Sequence, residues 1–481
     1  MKLPSIRFLL SRKFWQRVTF GLVCLATVVA AVYPIENLRG RRAWERYRAE
    51  AAARGVKLDV RELAPAPVPD AENFASAPQI AALYLLDGKV APRDAEPMTE
   101  EKKRGVVVDL ALPDQVLYIV YRALQEGGRG LDLGEIQKAF VKIGYLKETT
   151  NDPAADILRA LERFEPAMQE LRLAAKRPKS QFPPWSGRRT LWVGGFFRLM
   201  KFVNFRVEFL LAAGRHEEAA EEWKIQLQLC EALKSEPTLL AAMMRVTTIA
   251  YNLPVVVVGA ADHAWNEPEL EAFVQDLGRL RLAEDFPGAF NTERAVFNSY
   301  FDVIKTNPKF IGLPAWIKYL PQGWFDQNLI NYNRMADARV LWAESDGKAG
   351  SLYDFKQRAA AHWWGWHPYW FIGNRGYVMV EPACRQCWET DCRLQVCRVA
   401  CALERFRLQN GAYPDRLDQL EPALLPMVPK DRYTHQPFHY ENDAQGAVLV
   451  YSCGPNGRDD RGADDDIKWR SNPIVASTVE H

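Results

Sequence analysis

An uninterrupted apolar run near the amino terminus constrains this 481-residue chain more than any other feature. The run extends from Val18 to Tyr33 and is broken only by one glycine and two threonines. At helical rise it spans roughly 24 Å, short of the ~30 Å hydrocarbon core of a bilayer. A helix that begins at Phe14, with Arg17 extending its charge to the surface, closes this gap. The sequence therefore predicts a transmembrane helix.

Two interpretations of this run compete. A cleaved signal peptide would need a small-residue site, and residues 29–31 offer only a weak one. An uncleaved signal anchor suits the basic residues of the lead and the arginine-rich helix that follows directly. We therefore expect a cytoplasmic lead at 1–17 and a signal anchor at 18–33. Arginines on the two sides nearly balance, so the positive-inside rule does not orient the helix.

Length and composition indicate a folded protein of two or three domains. The apolar fraction is 48%, and 25% of the residues are charged, both normal for a globular chain. The net charge of +2 gives no reason to expect nucleic-acid binding. We expect residues 34–110 to form a stalk and linker, in which the charged helix of residues 36–54 is a solvated stalk.

Residues 111–375 have the pattern of an α-helical domain. Asp152 is placed as an N-cap before a first-turn proline, and Asn266 as the N-cap of a later helix. Gly214 marks a tight joint between two helices, similar to a tetratricopeptide joint. No clean 34-residue repeat follows, so we predict an irregular, tetratricopeptide-like helical domain. Such stacks usually present a concave surface to a protein partner.

One helix of this domain, residues 237–261, is apolar nearly all round and has two interpretations. It is either the buried centre of the domain or a second membrane span. Arg245 lies inside it, and a central arginine costs about 2.5–3.5 kcal/mol on membrane-insertion scales. We therefore expect a buried centre.

The carboxy-terminal region has a recognisable order of parts. A helical pattern from Val396 to Phe406 is stopped by Asn410-Gly411, because glycine accepts the left-handed conformation of a helix C-cap. Two strand-like runs follow at 438–440 and 447–451. An acidic, glycine-containing loop then covers 454–467. We expect a small α+β module over residues 380–481.

This order resembles the soluble domain of the major pseudopilin of type II secretion, the G-type subunit. The resemblance rests on four groups of residues in sequence order: Gly411–Pro414 with Leu417 and Leu420; Pro426 with Pro429–Asp431; Tyr451–Gly457; and Gly462–Ile467. A pseudopilin begins with a processing site and a hydrophobic helix that runs into this one. Here no hydrophobic segment precedes the helix directly, so we do not expect the chain to polymerise into a pseudopilus.

The whole chain also resembles a group of uncharacterised membrane-anchored proteins of Verrucomicrobia and Planctomycetes. That resemblance rests on residues 67–74, 263–265 and 321–325, and it implies no activity. The pseudopilin-like end implies a location outside the cytoplasm. We therefore expect a single-pass protein of the bacterial inner membrane with the bulk of the chain periplasmic.

The pseudopilin resemblance implies a structural calcium ion in the acidic loop. The residues that match the family's loop are Asn456, Asp464 and Asp466, and Asp460 is the next candidate ligand. Calcium takes six to eight oxygen ligands, which a flexible acidic loop can supply. A solvated acidic loop is the alternative. Arg458 and Arg461 depart from the family's pattern and could pair with the carboxylates instead.

Three other groups of residues are candidates for a functional role. Five cysteines between 384 and 401 contain only one CxxC pair, so a structural or disulfide role is favoured over a metal site. His263, Asp262 and Glu293 are candidates for a hydrolytic site, with a satisfied polar cluster as the alternative. The aromatic run 361–371 has two interpretations. Its rings either contact a membrane surface or stack on a ligand, or they pack at the joint between the helical domain and the carboxy-terminal module.

We therefore expect a mainly α protein: an amino-terminal transmembrane helix, an irregular helical domain and a small α+β module. The expected function is a membrane-anchored, non-catalytic scaffold that binds a protein partner of unknown identity and is secretion- or envelope-related. The alternative is an extracytoplasmic hydrolase with its site in the helical domain.

Overall fold

The computed structural model of the chain describes residues 12–63, 66–81, 85–86, 89–90, 132–182, 193–236, 238–344, 368–372, 380–443, 446–462 and 466–471. This part of the chain is mainly helical and contains a small three-stranded antiparallel sheet, which confirms the predicted mainly α class. The chain divides into two compact units. One comprises Met1–Leu63 and Phe290–Val380, and the other Ala64–Ala289 and Glu381–His481. These boundaries differ from the ranges 111–375 and 380–481 expected from the sequence.

The helices and strands of the described residues follow in chain order. The helices are α1 (Arg12–Ala53), α2 (Pro78–Ala81), α3 (Leu133–Lys142), α4 (Pro153–Leu161), α5 (Glu165–Ala174), α6 (Val193–Ala212), α7 (His216–Ala232), α8 (Leu239–Ala261), α9 (Glu267–Arg279), α10 (Leu282–Thr306), α11 (Gln322–Glu344) and α12 (Val380–Asn410). The strands are β1 (Leu85–Leu86), β2 (Lys89–Val90), β3 (His439–Asn442), β4 (Val448–Ser452) and β5 (Ile467–Arg470). Short 3₁₀ turns include Pro308–Ile311 and Ala315–Tyr319.

The first unit is organised around α1, a continuous helix that contains the predicted anchor. Its apolar part is uncovered, with Phe20 71% exposed and Leu22 60% exposed. Its later part packs along α11, where Tyr47 and Ala51 are buried together with Ile330. Residues 36–54 are thus one partner of a helix pair, whereas the sequence predicted a solvated stalk.

The core of the first unit lies between the last part of α10, the 3₁₀ turns after it and α11. The ring of Phe297 stacks on Tyr332 at 4.0 Å between centroids. Phe325 meets Phe371 edge to face at 5.8 Å. Phe371 belongs to the aromatic run 361–371, of which only residues 368–371 are described. Within the first unit these residues pack against α11.

The second unit contains helices whose ends follow local capping rules. The Asp152 carboxylate accepts the N–H of Ala155 at 3.0 Å at the start of α4. Asn266 and Glu269 form a reciprocal capping box at the start of α9. Gly214 adopts φ +71° between α6 and α7, a conformation that favours glycine. These helix boundaries agree with the sequence prediction.

Helix α8 lies within the second unit. In the described chain α1 and α8 are both long and apolar enough to cross a membrane. The most apolar window of α8 is 56% buried, however. Its Arg245 is also buried and pairs with Asp285 at 2.8 Å and Glu231 at 2.6 Å. These contacts agree with the predicted buried centre.

The carboxy-terminal sheet packs on this same unit. Its strand order is β3-β4-β5, and both pairings are antiparallel. Strands β3 and β4 were predicted, whereas β5 was not. Trp469 of β5 is buried and donates its indole N–H to the carbonyl of Val257 in α8 at 3.0 Å. The sheet is therefore part of the same compact unit as the helices around α8.

Candidate functional site

The acidic loop between β4 and β5 contains two tight turns. Gly454 and Gly457 have φ of +61° and +67°, in the left-handed region that glycine adopts without a steric penalty. Arg461 also has a positive φ of 55°. Its N–H donates to the carboxylate of Asp459 at 2.9 Å. The glycines in the sequence thus account for the path of the described part of this loop.

Three of the four predicted calcium ligands come together in this loop. The Asn456 amide donates to the Asp460 carboxylate at 2.9 Å. The N–H groups of Asp460 and Gly462 donate to Oδ2 of Asp466 at 3.2 and 2.8 Å. Asp464 lies outside the described residues. The predicted set is therefore joined by hydrogen bonds as far as the structure describes it.

Asp466 is the most buried carboxylate in the described part of the loop. It is only 8% exposed, and its Oδ1 has no hydrogen-bond partner among the described atoms. Burial raises the pKa of its carboxyl group, and the nearby Asp460 and Asp459 carboxylates raise it further. A bound cation would lower the free-energy cost of ionising this buried carboxyl group, because it stabilises the charged form.

The described oxygen atoms do not complete a calcium shell. The Oδ1 atom of Asn456 accepts the N–H of Arg458 at 2.6 Å. Within the described ranges, which omit residues 463–465, no group of three or more Asp, Glu, His or Cys has metal-binding geometry. The orphaned Asp466 oxygen fits a cation, and the remaining ligands would have to come from backbone oxygens, water or the undescribed residues.

A thiol, an imidazole and a carboxylate meet beside this loop. The Sγ atom of Cys453 lies 3.3 Å from Nε2 of His439, and Nδ1 of His439 lies 3.6 Å from Oδ2 of Asp459. His439 and Tyr451 are opposite each other on β3 and β4, and their rings stack at 4.9 Å. The Tyr451 hydroxyl donates to Asp459 at 3.0 Å. No local sequence pattern indicates this group, because it depends on the strand register.

The Cys453 environment does not favour nucleophilic catalysis. Burial raises the pKa of the Cys453 thiol, as do the carboxylates of Asp431 and Asp459. A catalytic thiol needs the opposite shift, since the thiolate is the nucleophile. The N–H groups of Cys453 and Gly454 already donate to Asp431 and Ser452 at 3.0 and 3.1 Å, so neither is free to bind an oxyanion. The arrangement instead ties β4 to the loop.

The five cysteines of α12 are buried core residues. All eight cysteines of the chain are free thiols, which excludes the disulfide alternative in this structure. Burial raises the pKa of Cys384 and of Cys392 to about 12. Cys397 and Cys401 are fully buried one turn apart. These residues behave as small apolar side chains, in line with the predicted structural role.

Of the candidates for a hydrolytic site, His263 lies in the second unit and Glu293 in the first. The Nδ1 atom of His263 is 3.1 Å from the buried Glu404 carboxylate of α12. Glu404 also pairs with Arg407 at 2.9 Å and accepts the hydroxyl of Tyr413. His263 therefore joins the end of α8 to α12 through Nδ1, whereas its Nε2 atom is buried without a hydrogen-bond partner among the described atoms. The polar cluster named as the alternative to a hydrolytic site is thus present but only partly satisfied.

A cavity of about 220 Å³ lies between the turn after α7, the start of α8 and the start of α10. Arg245 and Lys234 reach its wall, and both pair with Asp285, at 2.8 and 2.9 Å. Burial raises the pKa of Glu236, which also lines the cavity, to about 7. No local sequence pattern marks Glu236, because its burial results from the packing of three helices.

Comparisons with protein-family models, with curated protein sequences and with solved structures give no match to this chain.

Proposed function

We propose that this protein is a membrane-anchored, non-catalytic scaffold that holds a protein partner on the extracytoplasmic side of the bacterial inner membrane. The observation that carries the proposal is the course of α1. Its apolar part is exposed to the surroundings, and the same unbroken helix then packs on α11. A helix of this kind fixes the first unit directly to the bilayer.

The contacts between α1 and α11 support an uncleaved anchor. Asn37 accepts the N–H of Gly323 at 3.0 Å, and Tyr47 donates to Asp337 at 3.1 Å. The helix therefore enters the folded unit within a few residues of the end of the apolar run. A flexible tether would leave the first unit free to move, whereas this arrangement holds it at the membrane surface.

Protease protection and carbonate extraction test the topology. The protein should remain in the membrane pellet after alkaline carbonate, and protease added to spheroplasts should digest the residues beyond 34. A cytoplasmic marker protein, which must stay intact, is the control. Release by carbonate would contradict the anchor, and full protection from protease would contradict the orientation.

The carboxy-terminal module is proposed to be pseudopilin-like, with a calcium ion that stabilises its loop. The sheet order, the turn glycines and the orphaned Asp466 oxygen support this assignment. Calcium would hold the loop against β4 and β5 and would have no catalytic role. A pseudopilin needs an apolar helix that runs directly into the helix before the sheet. Here that helix, α12, begins at Val380, far along the chain from the apolar run of α1, so the module would not assemble as a pilin does.

The partner surface is proposed to lie on the irregular, tetratricopeptide-like helices of the second unit. Helix α8 exposes Leu240 by 43% and Val258 by 50%, although most of its neighbours are buried. Affinity purification from the native envelope tests this surface. A Leu240→Ser, Val258→Ser variant should lose a partner that the wild type retains, and a Leu173→Ser variant on α5 should keep it. Equal recovery with all three proteins would contradict the assignment.

An extracytoplasmic hydrolase is the second candidate, and the cavity beside Glu236 favours it. A carboxyl group with a pKa near neutrality can act as a general acid or base. Asp285, held by Arg245 and Lys234, supplies a second carboxylate in the same cavity. A hydrolytic activity on ester or peptide substrates that disappears in Glu236→Gln and persists in Glu217→Gln would support this function. If the Glu236→Gln variant retains the activity, the result would contradict a hydrolytic site at Glu236.

A further inference from the structure

Three large aromatic side chains are exposed on one short segment of the first unit. In the 3₁₀ turns Pro308–Ile311 and Ala315–Tyr319, Phe310 is 52% exposed, Trp316 51% and Tyr319 67%. Single exposed apolar residues are normal, but several large aromatic side chains on one short segment indicate an interaction surface. We call residues 308–319 the aromatic segment.

The aromatic segment lies beside the end of the predicted anchor. The hydroxyl of Tyr33, the last residue of the apolar run, donates to the carbonyl oxygen of Tyr319. Four residues after Tyr33 and four after Tyr319, Asn37 accepts the N–H of Gly323 at 3.0 Å. Tyr319 is therefore at the level at which α1 leaves its apolar part.

Helices α1 and α11 run in the same direction from this level. Asn37 contacts Gly323 near the start of α11, and further along both helices Tyr47 contacts Asp337 at 3.1 Å. Helix α11 thus extends away from the apolar run together with the second half of α1. The aromatic segment precedes α11 in sequence and lies at its start, next to Tyr33.

The composition of the segment suits the boundary between lipid and water. Tyrosine and tryptophan rings are enriched there, because one part of each ring system is apolar and the other forms hydrogen bonds. Lys309 directly precedes Phe310 and Lys318 directly precedes Tyr319, and the ammonium group of Lys318 lies 4.9 Å from the ring centre of Tyr319. Lysines at this depth can contact lipid phosphates while their stems cover apolar surface.

We propose that the aromatic segment, through Phe310, Trp316 and Tyr319, inserts into the headgroup region of the bilayer that holds α1. The partner of this surface is therefore a lipid surface. The inference rests on the proposed membrane anchor and extends it with a second membrane contact. Two contacts at one level hold the first unit in a fixed orientation, whereas a single helix would allow it to rotate and tilt.

Photo-crosslinking to lipid tests the proposal on the full-length protein. The protein is reconstituted into vesicles of phosphatidylcholine and phosphatidylglycerol that contain a lipid with a diazirine next to its headgroup. After irradiation, tryptic peptides are searched for attached lipid. Cleavage after Lys309 and Lys318 isolates residues 310–318, which contain Phe310 and Trp316. We expect lipid on this peptide and on peptides from the apolar part of α1.

A Phe310→Ser, Trp316→Ser, Tyr319→Ser variant should lower the lipid yield on residues 310–318 at least several-fold and leave the yield on α1 unchanged. The matched control is Leu173→Ser, Met427→Ser, which removes two exposed apolar side chains, 65% and 67% exposed, from the other unit. If the triple variant fails to fold, the single variant Trp316→Ser and the wild-type crosslinking pattern still decide the question.

The outcomes separate the two proposals. Lipid on α1 alone would overturn the aromatic segment's membrane contact and leave the anchor intact. Lipid on neither region would overturn both. Crosslinks between residues 310–318 and a second copy of the chain, in place of lipid, would assign the segment to a protein interface and contradict the inference.

Discussion

Gly40 and Gly323 face each other where α1 and α11 cross. A Cβ atom on Gly40 would lie 2.3 Å from the Cα atom of Gly323, and one on Gly323 would lie 1.8 Å from the carbonyl oxygen of Glu36. No side chain fits at either distance, so the two backbones can approach this closely only because both residues are glycine. This contact places the start of α11 beside the end of the predicted anchor.

Replacing Gly323 with alanine should therefore destabilise the first unit. The new methyl group would meet main-chain atoms that cannot move aside, and overpacking of this kind costs about 1–3 kcal/mol or more. Thermal unfolding of the detergent-solubilised protein measures the effect. Gly288→Ala is the matched control, because a Cβ there meets nothing within 4 Å. Equal melting temperatures for the two variants would show that the helices separate without cost.

Asp337 is expected to be a stability determinant of the first unit. Its carboxylate accepts hydrogen bonds from Tyr47 at 3.1 Å, Arg54 at 3.0 Å and the buried Arg294 at 2.5 Å. Asp337→Ala would leave the Arg294 guanidinium buried without this partner, and breaking such a pair typically costs about 3–5 kcal/mol. Chemical denaturation compares this variant with Asp302→Ala, an exposed aspartate on α10. A loss no greater than that of the control would contradict the role.

Stability of the second unit should depend on the protonation of Glu208. Its Oε2 is enclosed without a partner among the described atoms, and burial raises the pKa of the carboxyl from 4.5 to about 8. Between these values the folded state holds a proton that the unfolded chain has lost. Stability should therefore fall as pH rises through this range, at up to about 1.4 kcal/mol per pH unit.

Melting temperatures at pH 5 and pH 8 check this dependence. Glu208→Gln should reduce the difference between the two temperatures, because the amide does not titrate. Glu221→Gln, which changes an exposed carboxylate on α7, should leave it as in the wild type. An unchanged difference in Glu208→Gln would exclude Glu208 as the source.

Calcium should stabilise the full-length protein if it binds the acidic loop. A ligand that binds only the folded state raises the free energy of unfolding, by about 2.7 kcal/mol at a concentration one hundred times the dissociation constant. We expect millimolar calcium to raise the melting transition of the second unit and magnesium to do so less. The shift should vanish in Asp460→Asn, Asp466→Asn and persist in Asp415→Asn. If calcium does not shift the melting transition of the wild type, or shifts that of the double variant equally, the proposed calcium site is contradicted.

Local sequence patterns determined the ends of many helices and the general class of the fold. A capping box at Asn266, a glycine at 214 and a glycine at 411 each act through neighbouring backbone groups, so their effect is readable without tertiary structure. The apolar run to Tyr33 likewise predicted an uncovered helix from composition alone. The acidic loop was located by its turn residues and carboxylates.

Tertiary structure alone decided which segments share a unit and where unusual groups meet. Residues 36–54 have the charge of a solvated stalk, yet Gly40 and Tyr47 pack on α11, almost three hundred residues later in the chain. Strand β5 is too short to give a clear period, and it forms because β4 offers a free edge. Cys453 meets His439 through strand register, and Glu236 is buried by helix packing. Such relationships depend on long-range contacts, which no local pattern specifies.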